Sequence, residues 1–478
     1  MQKTVKYHES PRDLILWGEG DIDSPAVRGE DVYLKPKGRV SQQWLTACEE
    51  ERALTADLME KIADLSNLTT ALRQVVNNGG SAGIDGMTVT QLKEWFNHNW
   101  QELQSSLLEG SYTPSGVRGV RIRKPKGGYR QLGIPTCKDR LVQQATSQSL
   151  NGRYEPIFSS NSYGFRPRRS AHQALLQAAE YVAEGYNHVV DLDLEKFFDK
   201  VNHDRMMWLL GTRIGDRRVL SLIGKFLRSG IMQDGLISQR LQGTPQGSPL
   251  SPILSNVVLD ELDKELEVRG HRFVRYADDQ IILVKSGEAA KRVMKSITDF
   301  IENRMLLKVN REKSRVCLPH ELNFLGYTIL SGGKLGISQE SMRRFKAKLI
   351  RITRRNKGVS LEQLIQSLNL VLRGWLNYFR LARMKKRLAW TEAWLRRRIR
   401  CFRLKQCKRA IGIVRFLRSR GVPENRCWLI ALSGKGWYRL ANSPGAHEGM
   451  NLAWFEEIGL FSLSVNYGLS FRETAPYV

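Results

Sequence analysis

The spacing of apolar positions along this chain changes several times. From Leu68 to Leu107 they recur at helical intervals, broken once at NNGGSAGIDG, where clustered Gly and Asn predict a loop. VRGVRIRKPKGGYRQLGIP then alternates apolar and basic residues about Gly127-Gly128, the pattern of a two-stranded ribbon carrying Arg121, Arg123, Lys124 and Arg130. Helical spacing returns over 136–183. HVVDLDLEKFF follows, a short apolar strand ending in acids, and helices are predicted from there to about residue 228. A hairpin is predicted over 231–242, a loop at GTPQGSPLSP, and an amphipathic helix over 253–268. FVRYADDQIILV, residues 273–284, reads as two β-prone runs meeting at Tyr276-Ala277-Asp278-Asp279. From 336 to 405 the spacing is helical, with few breakers apart from Gly358 and Gly374, and the tail beyond is mixed. The predicted class is α+β with a helical later part.

At 478 residues and 41% hydrophobic content, with no long apolar stretch, the chain reads as a globular protein outside the membrane. MQKTVKYHESPRDLILWGEG lacks the features of a signal or transit peptide, so a cytoplasmic location is expected. The six cysteines are scattered, with no C-x-x-C pair and no His cluster beside them, which argues against a disulfide framework or a zinc site.

Charge narrows the function further. The formal net charge is +27, and residues 341–440 hold 28 Lys and Arg against three Glu, so nearly all of the excess lies in one block. Residues 1–60 carry 12 carboxylates against 8 basic side chains. A basic block of that size, interleaved with Trp375, Tyr378, Phe379, Trp390, Trp394 and Phe402, is the composition of a nucleic-acid-binding surface.

The carboxylate doublet Asp278-Asp279 poses a specific problem, because adjacent carboxylates repel and the repulsion is relieved when a cation sits between them. Asp193, where HVVDLD leaves its strand, is the expected third acid, with Asp191 a rival two residues earlier on the same strand face. Two Mg²⁺ ions sharing these oxygens would clamp the attacking and leaving oxygens of a phosphoryl transfer. A polar turn with no further role is the plain alternative for the doublet taken alone.

Several further stretches fall in one order: IRKPKGGYRQLGIPT, NSYGFRPRRSAHQAL, DLEKFFDKVNHDRM, GTPQGSPLSPILSN, YADD, LKVNREKS, FLGY and RGWLNYFR. In this order they resemble the group II intron-encoded reverse transcriptases and maturases, from about residue 67 to about 440. The resemblance implies a right-hand polymerase: an acidic extension over 1–65, fingers and an antiparallel-sheet palm over 66–335, a helical thumb and maturase domain over 336–408, and a basic DNA-binding tail over 409–478. It implies that Asp193, Asp278 and Asp279 are catalytic and hold two Mg²⁺, with Mn²⁺ as a substitute. Lys124 and Arg130 are then placed to hold the triphosphate of an incoming dNTP, by point charge and bidentate fork respectively. Phe198 is expected beneath its sugar, where a ring would clash with a 2′-hydroxyl, and Lys313 resembles a lysine that protonates departing pyrophosphate. Gln246 and Gly247 are expected to let the backbone approach template and primer closely. Arg166, Arg169, Arg373, Trp375, Tyr378, Arg396, Arg397, Arg398 and Arg400 are expected to contact nucleic acid.

The tail from 441 has His447 and no Cys, which resembles the compact branch of the family without an HNH endonuclease. The expected function is RNA-directed DNA synthesis coupled to binding the intron RNA for splicing and retrohoming, with template RNA, DNA primer or target, and dNTPs as partners. Two alternatives remain open: a domesticated reverse transcriptase of repair or defence, and a non-enzymatic RNA-binding splicing factor on the same scaffold.

Overall fold

A computed structural model describes residue 52 and residues 55–123, 127–233, 236–238, 242–243 and 247–474. The acidic extension therefore lies largely outside the described residues. The core nonetheless begins ahead of residue 66: helix Leu58–Ala63 buries Leu58, Met59, Ile62 and Ala63, and helix Leu65–Asn78 follows it directly.

The strands are β1 (Val117–Arg123), β2 (Tyr129–Ile134), β3 (His188–Leu192), β4 (Ile231–Gln233), β5 (Leu236–Ser238), β6 (Arg272–Tyr276), β7 (Asp279–Val284), β8 (Arg315–Cys317), β9 (Tyr327–Leu330) and β10 (Lys334–Ile337). They form one sheet of order β2-β1-β4-β5, a central sheet of order β6-β7-β3-β8 and the ribbon β10-β9. The predicted ribbon about Gly127-Gly128 and the 231–242 hairpin thus share the first sheet, and FVRYADDQIILV forms the β6–β7 hairpin of the second.

The central sheet is antiparallel yet covered on both faces, which explains why its strands read as apolar runs instead of alternating. Val190, Leu192, Phe273, Ile282 and Val284 enter one hydrophobic core with the N-terminal helices. Val189, Val274, Ile281 and Leu283 enter a second core with β9, β10 and the helices beyond residue 339. A sheet shared by two cores cannot slip register, since a one-residue shift would move every side chain to the wrong face.

One stretch departs from expectation. Residues 136–183 are not continuously helical: helices Cys137–Tyr154 and Ala171–Ala183 flank a connection that contains NSYGFRPRRS. Its backbone is committed elsewhere, because Tyr163 N–H donates to the Arg275 carbonyl at 2.8 Å and Arg275 N–H donates to the Asn161 carbonyl at 2.9 Å. After Ile337 the described residues are helical, beginning with Gln339–Ile352, Leu361–Phe379 and Lys385–Gln406, and the tail expected to be mixed continues as short helices to Leu463–Thr474. Among the described residues no helix is long and apolar enough to cross a membrane.

Within β6, Arg275 is fully buried. Its Nε donates to both Asp263 oxygens at 2.8 and 2.9 Å, and its Nη1 donates to Asn256 Oδ1 at 2.9 Å and to the Ala277 carbonyl at 3.1 Å. Replacing Arg275 with Ala leaves the buried Asp263 carboxylate without its cation, so unfolding free energy should drop by about 3–5 kcal/mol. Arg275→Met with Asp263→Leu should recover most of that loss. Denaturant titration measures both, and a single variant as stable as the parent would show that water reaches the pair.

Candidate active site

The β3–β7 pairing ends at Leu192 opposite Gln280. One step further along each strand stand Asp193 and Asp279, so the register sets these two carboxylates side by side across strands that lie about 4.8 Å apart. Asp191 is on the same face two residues back, and Asp278 sits at the crest of the β6–β7 turn.

The turn is held from beneath. Ala277 adopts a left-handed φ of 59°, and Gly164 presses against it so closely that a Cβ there would stand 2.1 Å from the Ala277 nitrogen. Asn256 Nδ2 donates to the Gly164 carbonyl at 3.0 Å, and the Arg275 network supports the turn from the strand side. Asp193 is fixed by the loop that carries LKVNREKS: Asn310 N–H donates to its carbonyl at 2.8 Å, and Ser314 Oγ lies 3.0 Å from its backbone nitrogen as acceptor.

Two cations already stand against these acids. Lys313 Nζ lies 2.8 and 3.1 Å from the two Asp193 oxygens, and Arg315 Nε lies 3.8 Å from Asp191 Oδ2. The strand register thus makes a ladder in which residues 191 and 193 face residues 315 and 313. Asp279 is open to water but walled by protein; that burial, with the Asp278, Asp193 and Asp191 charges, pushes its pKa up to about 6. Burial chiefly, and Asp193 after it, raises Asp191 to about 6 against the opposing pull of Arg315.

These observations test what the cleft can hold. Its donors are carboxylate oxygens, which suit a hard divalent cation such as Mg²⁺ or Mn²⁺. The mutual repulsion at Asp279 and the ammonium of Lys313 on Asp193 both mark a place that attracts positive charge. Among the described residues no group of three acidic, His or Cys side chains stands as a ready-made metal cage, so water and substrate oxygens would complete the ligand set, as Mg²⁺ commonly requires.

Phe198 is half-buried and meets Phe197 edge-on at 5.3 Å, with Phe197 in the core. Gly243, at φ 83°, abuts its backbone: a Cβ there would stand 2.6 Å from the Phe198 carbonyl oxygen. The close approach that Gly247 permits is to protein, since its Cβ would lie 3.0 Å from the Gly133 carbonyl of β2. Arg130 pairs with Ile122 in the ribbon, while its side chain, Lys124 and Gln246 lie outside the described residues.

Several expected nucleic-acid contacts are internal instead. Arg166 is buried: it donates to Glu155 at 2.9 and 3.0 Å and to the Ser162 carbonyl at 2.9 Å, leaving its fork nothing to offer a phosphate. Arg400 is also buried, donating to the Met450 carbonyl at 2.9 Å, and desolvation brings its pKa down to about 10. Trp375 stacks on Phe345 at 4.0 Å. Tyr378 donates its hydroxyl to the Leu325 carbonyl at 2.9 Å, and its own carbonyl accepts from His172 Nε2 at 2.7 Å and from the Tyr327 hydroxyl. Arg397 and Arg398 are half-buried against Tyr438 and Thr353, and Arg396 lies 3.9 Å from Glu392. Arg169 is half-buried over Tyr163, and Arg373 remains exposed.

Residues 122–329 match the family model described as reverse transcriptase (RNA-dependent DNA polymerase), and residues 342–420 match the group II intron, maturase-specific domain. Protein YkfC of Escherichia coli (strain K12) is 30% identical over 343 residues, which is 61% of this chain and 90% of that protein. Group II intron-encoded protein LtrA of Lactococcus lactis subsp. cremoris is 30% identical over 295 residues, 48% of this chain, and the match spans about half of LtrA, 49%. The retron Mx65 reverse transcriptase of Myxococcus xanthus is 27% identical over 372 residues, 72% of this chain and 82% of that protein.

The Lys313–Asp193 pair is exposed and therefore a weak placeholder, worth roughly 0.2–1 kcal/mol. Lys313→Met should accordingly tighten Mn²⁺ binding to the isolated protein by roughly two- to fivefold. Paramagnetic resonance of free Mn²⁺ measures this, and a weaker affinity in the variant would show that the lysine supports the site instead of competing for it.

Proposed function

We propose that this chain, which belongs to the family of group II intron-encoded reverse transcriptases and maturases, builds DNA on an RNA template at the cleft between β3 and the β6–β7 turn, and binds its intron RNA through the region beyond residue 336. The observation that carries the reading is the register that sets Asp193 beside Asp279 with Asp278 at the adjoining crest. Reverse transcriptases work with divalent metal ions, and Mg²⁺, or Mn²⁺ in its place, is the ion we assign to these three acids. When bound, such a pair of ions neutralises the carboxylates and the charge that develops on the transferring phosphoryl group.

The chain's own residues do the positioning. Asp193, Asp278 and Asp279 supply oxygens from two adjacent strands and a turn that the Arg275 network keeps in place. Lys313, once released from Asp193, is within reach of the triphosphate of an incoming dNTP and able to give a proton to pyrophosphate. Lys124 and Arg130 are the residues we assign to that triphosphate, and Phe198 to the space under its sugar. Gln246 and Gly247, within GTPQGSPLSP, are the residues we assign to close approach of the primer and template. Exposed cations such as Arg373 carry the RNA contact, so splicing depends on a surface distinct from the acids.

That separation is testable. Asp278→Ala with Asp279→Ala removes two of the three metal-holding carboxylates, and cDNA synthesis on a primed RNA template should drop by at least about a thousandfold, roughly 4 kcal/mol of barrier. RNA binding and protein-dependent splicing of the intron should persist. A double variant that still extends primers would refute the assignment of the acids, and one that stays folded but stops splicing would refute the separation.

Phe198→Ala opens space for a 2′-hydroxyl, so primer extension with rNTPs alone should become measurable, with a gain of about tenfold or more over the parent. Unchanged discrimination in an otherwise active variant would place the sugar gate at another residue.

A further inference from the structure

Where the aspartate cleft gathers like negative charges, a second cavity gathers like positive ones. It measures about 760 Å³ and opens where the loop after helix Gln339–Ile352 meets helix Lys385–Gln406 and Tyr438. Arg351, Arg354, Arg355, Lys357 and Arg398 line it together with Tyr438, and none of its lining residues is acidic. The contrast is with a cavity of about 870 Å³ between Glu195 and residues 302–312, whose lining mixes Glu195, Glu302 and Glu312 with Lys308 and Arg311.

The cationic wall is built, because the loop is stapled to the helix. Arg398 Nε donates to Thr353 Oγ1 at 2.6 Å, Lys405 Nζ to Asn356 Oδ1 at 2.6 Å, and Gln406 Nε2 to the Val359 carbonyl at 3.1 Å. Those bonds hold Arg354, Arg355 and Lys357 toward Arg398 and keep them from dispersing. Burial chiefly, and the nearby Arg355 charge as well, lowers the pKa of Arg398. Cations held together at this cost call for an anion between them, as the carboxylates of the cleft call for a metal.

We propose that this cavity receives a bulged or sharply turned phosphodiester segment of the intron RNA. Guanidinium forks match phosphate oxygens in pairs, which Arg351, Arg354 and Arg355 can do for successive phosphates, while Arg398, bonded to Thr353, adds its charge to the wall. The Tyr438 ring offers a stacking face, already capped on one side by Arg397 at 4.0 Å. The volume is that of a small-ligand pocket and does not admit a duplex, and proteins read RNA chiefly at unstacked loops and bulges. Both the loop and helix Lys385–Gln406 lie within residues 342–420, matched to the maturase-specific domain. The inference rests on the intron-RNA reading above and adds the place and shape of the contact.

The test uses the full chain with Arg354→Gln and Lys357→Gln, two exposed side chains, against a short labelled hairpin RNA made with and without a bulge. Wild type should prefer the bulged hairpin, and the variant should bind it about tenfold more weakly. Its log–log salt dependence should be flatter by about 1.4 to 1.8, the share of two phosphate contacts. The exchange Arg354→Lys with Lys357→Arg should keep the slope. Lys291→Gln with Arg292→Gln, exposed on helix Gly287–Asn303, should alter neither quantity. A Gln variant that melts like wild type yet binds the bulged hairpin as tightly overturns the pocket, as does equal loss on the perfect hairpin or a preference for duplex DNA. Failure of wild type to bind any RNA overturns the RNA-binding reading itself, which separates the two.

Discussion

The buried pair of Arg275 and Asp263 is the constraint on which the rest of the cleft depends. Both side chains are inaccessible to water, and desolvating two charges costs most of what their attraction returns, so the pair is a poor source of stability. Its value is positional. Arg275 lies on β6 two residues before Ala277, and its remaining donors reach the Ala277 carbonyl and Asn256, which in turn holds the Gly164 carbonyl. An apolar replacement could fill the same volume, but it could not tie helix Ser251–Val268, the NSYGFRPRRS connection and the β6–β7 turn to one point. The turn that carries Asp278 and Asp279 inherits its place from that knot.

Charge then explains the rest of the arrangement in two complementary ways. At the cleft, Asp191 and Asp193 stand opposite Arg315 and Lys313, so these two acids are partly neutralised within the chain itself. The β3–β8 ladder sets the backbones of Asp191 and Arg315 opposite one another, whereas Lys313 reaches Asp193 from the turn that precedes β8. In the helical region the opposite sign accumulates, and much of it is spent on structure. Arg397 and Arg400 bind carbonyls and aromatic faces of the C-terminal segment and Arg398 binds the Thr353 hydroxyl, while the cations of the loop after Ile352 stay open.

This division marks how far the sequence could be read. Both hairpins, the placement of Asp193 and Asp278-Asp279 at neighbouring strand ends and the helical later part were legible, because strand period, turn residues and the spacing of acids relative to strand ends are local properties. Arg275 was legible in principle, as a charge inside FVRY, a strand with no exposed face to put it on. The fate of Arg166 and Arg400 was not, since RPRR and RRRIR say that arginines are present but not which of them turn inward. That depends on Glu155 and Met450, which lie 11 and 50 residues away. Trp375 and Tyr378 were misread for the same reason: aromatic rings among cations look like a stacking platform until their partners Phe345 and Leu325 are known.

Those aromatic contacts give the misreading a physical consequence. Tyr378 sits on helix Leu361–Phe379, yet its hydroxyl is bonded to Leu325 in FLGY, and its pKa is raised by burial and then by the nearby Tyr276 and Asp279. The Tyr378 carbonyl accepts from His172 on the helix that follows NSYGFRPRRS, and Gly326, at φ 82°, leaves no room for a Cβ beside Ser341. The helical region is therefore packed onto FLGY and onto the helix after NSYGFRPRRS through the end of RGWLNYFR. Side chains packed this closely leave the elements on either side of the seam little room to shift independently.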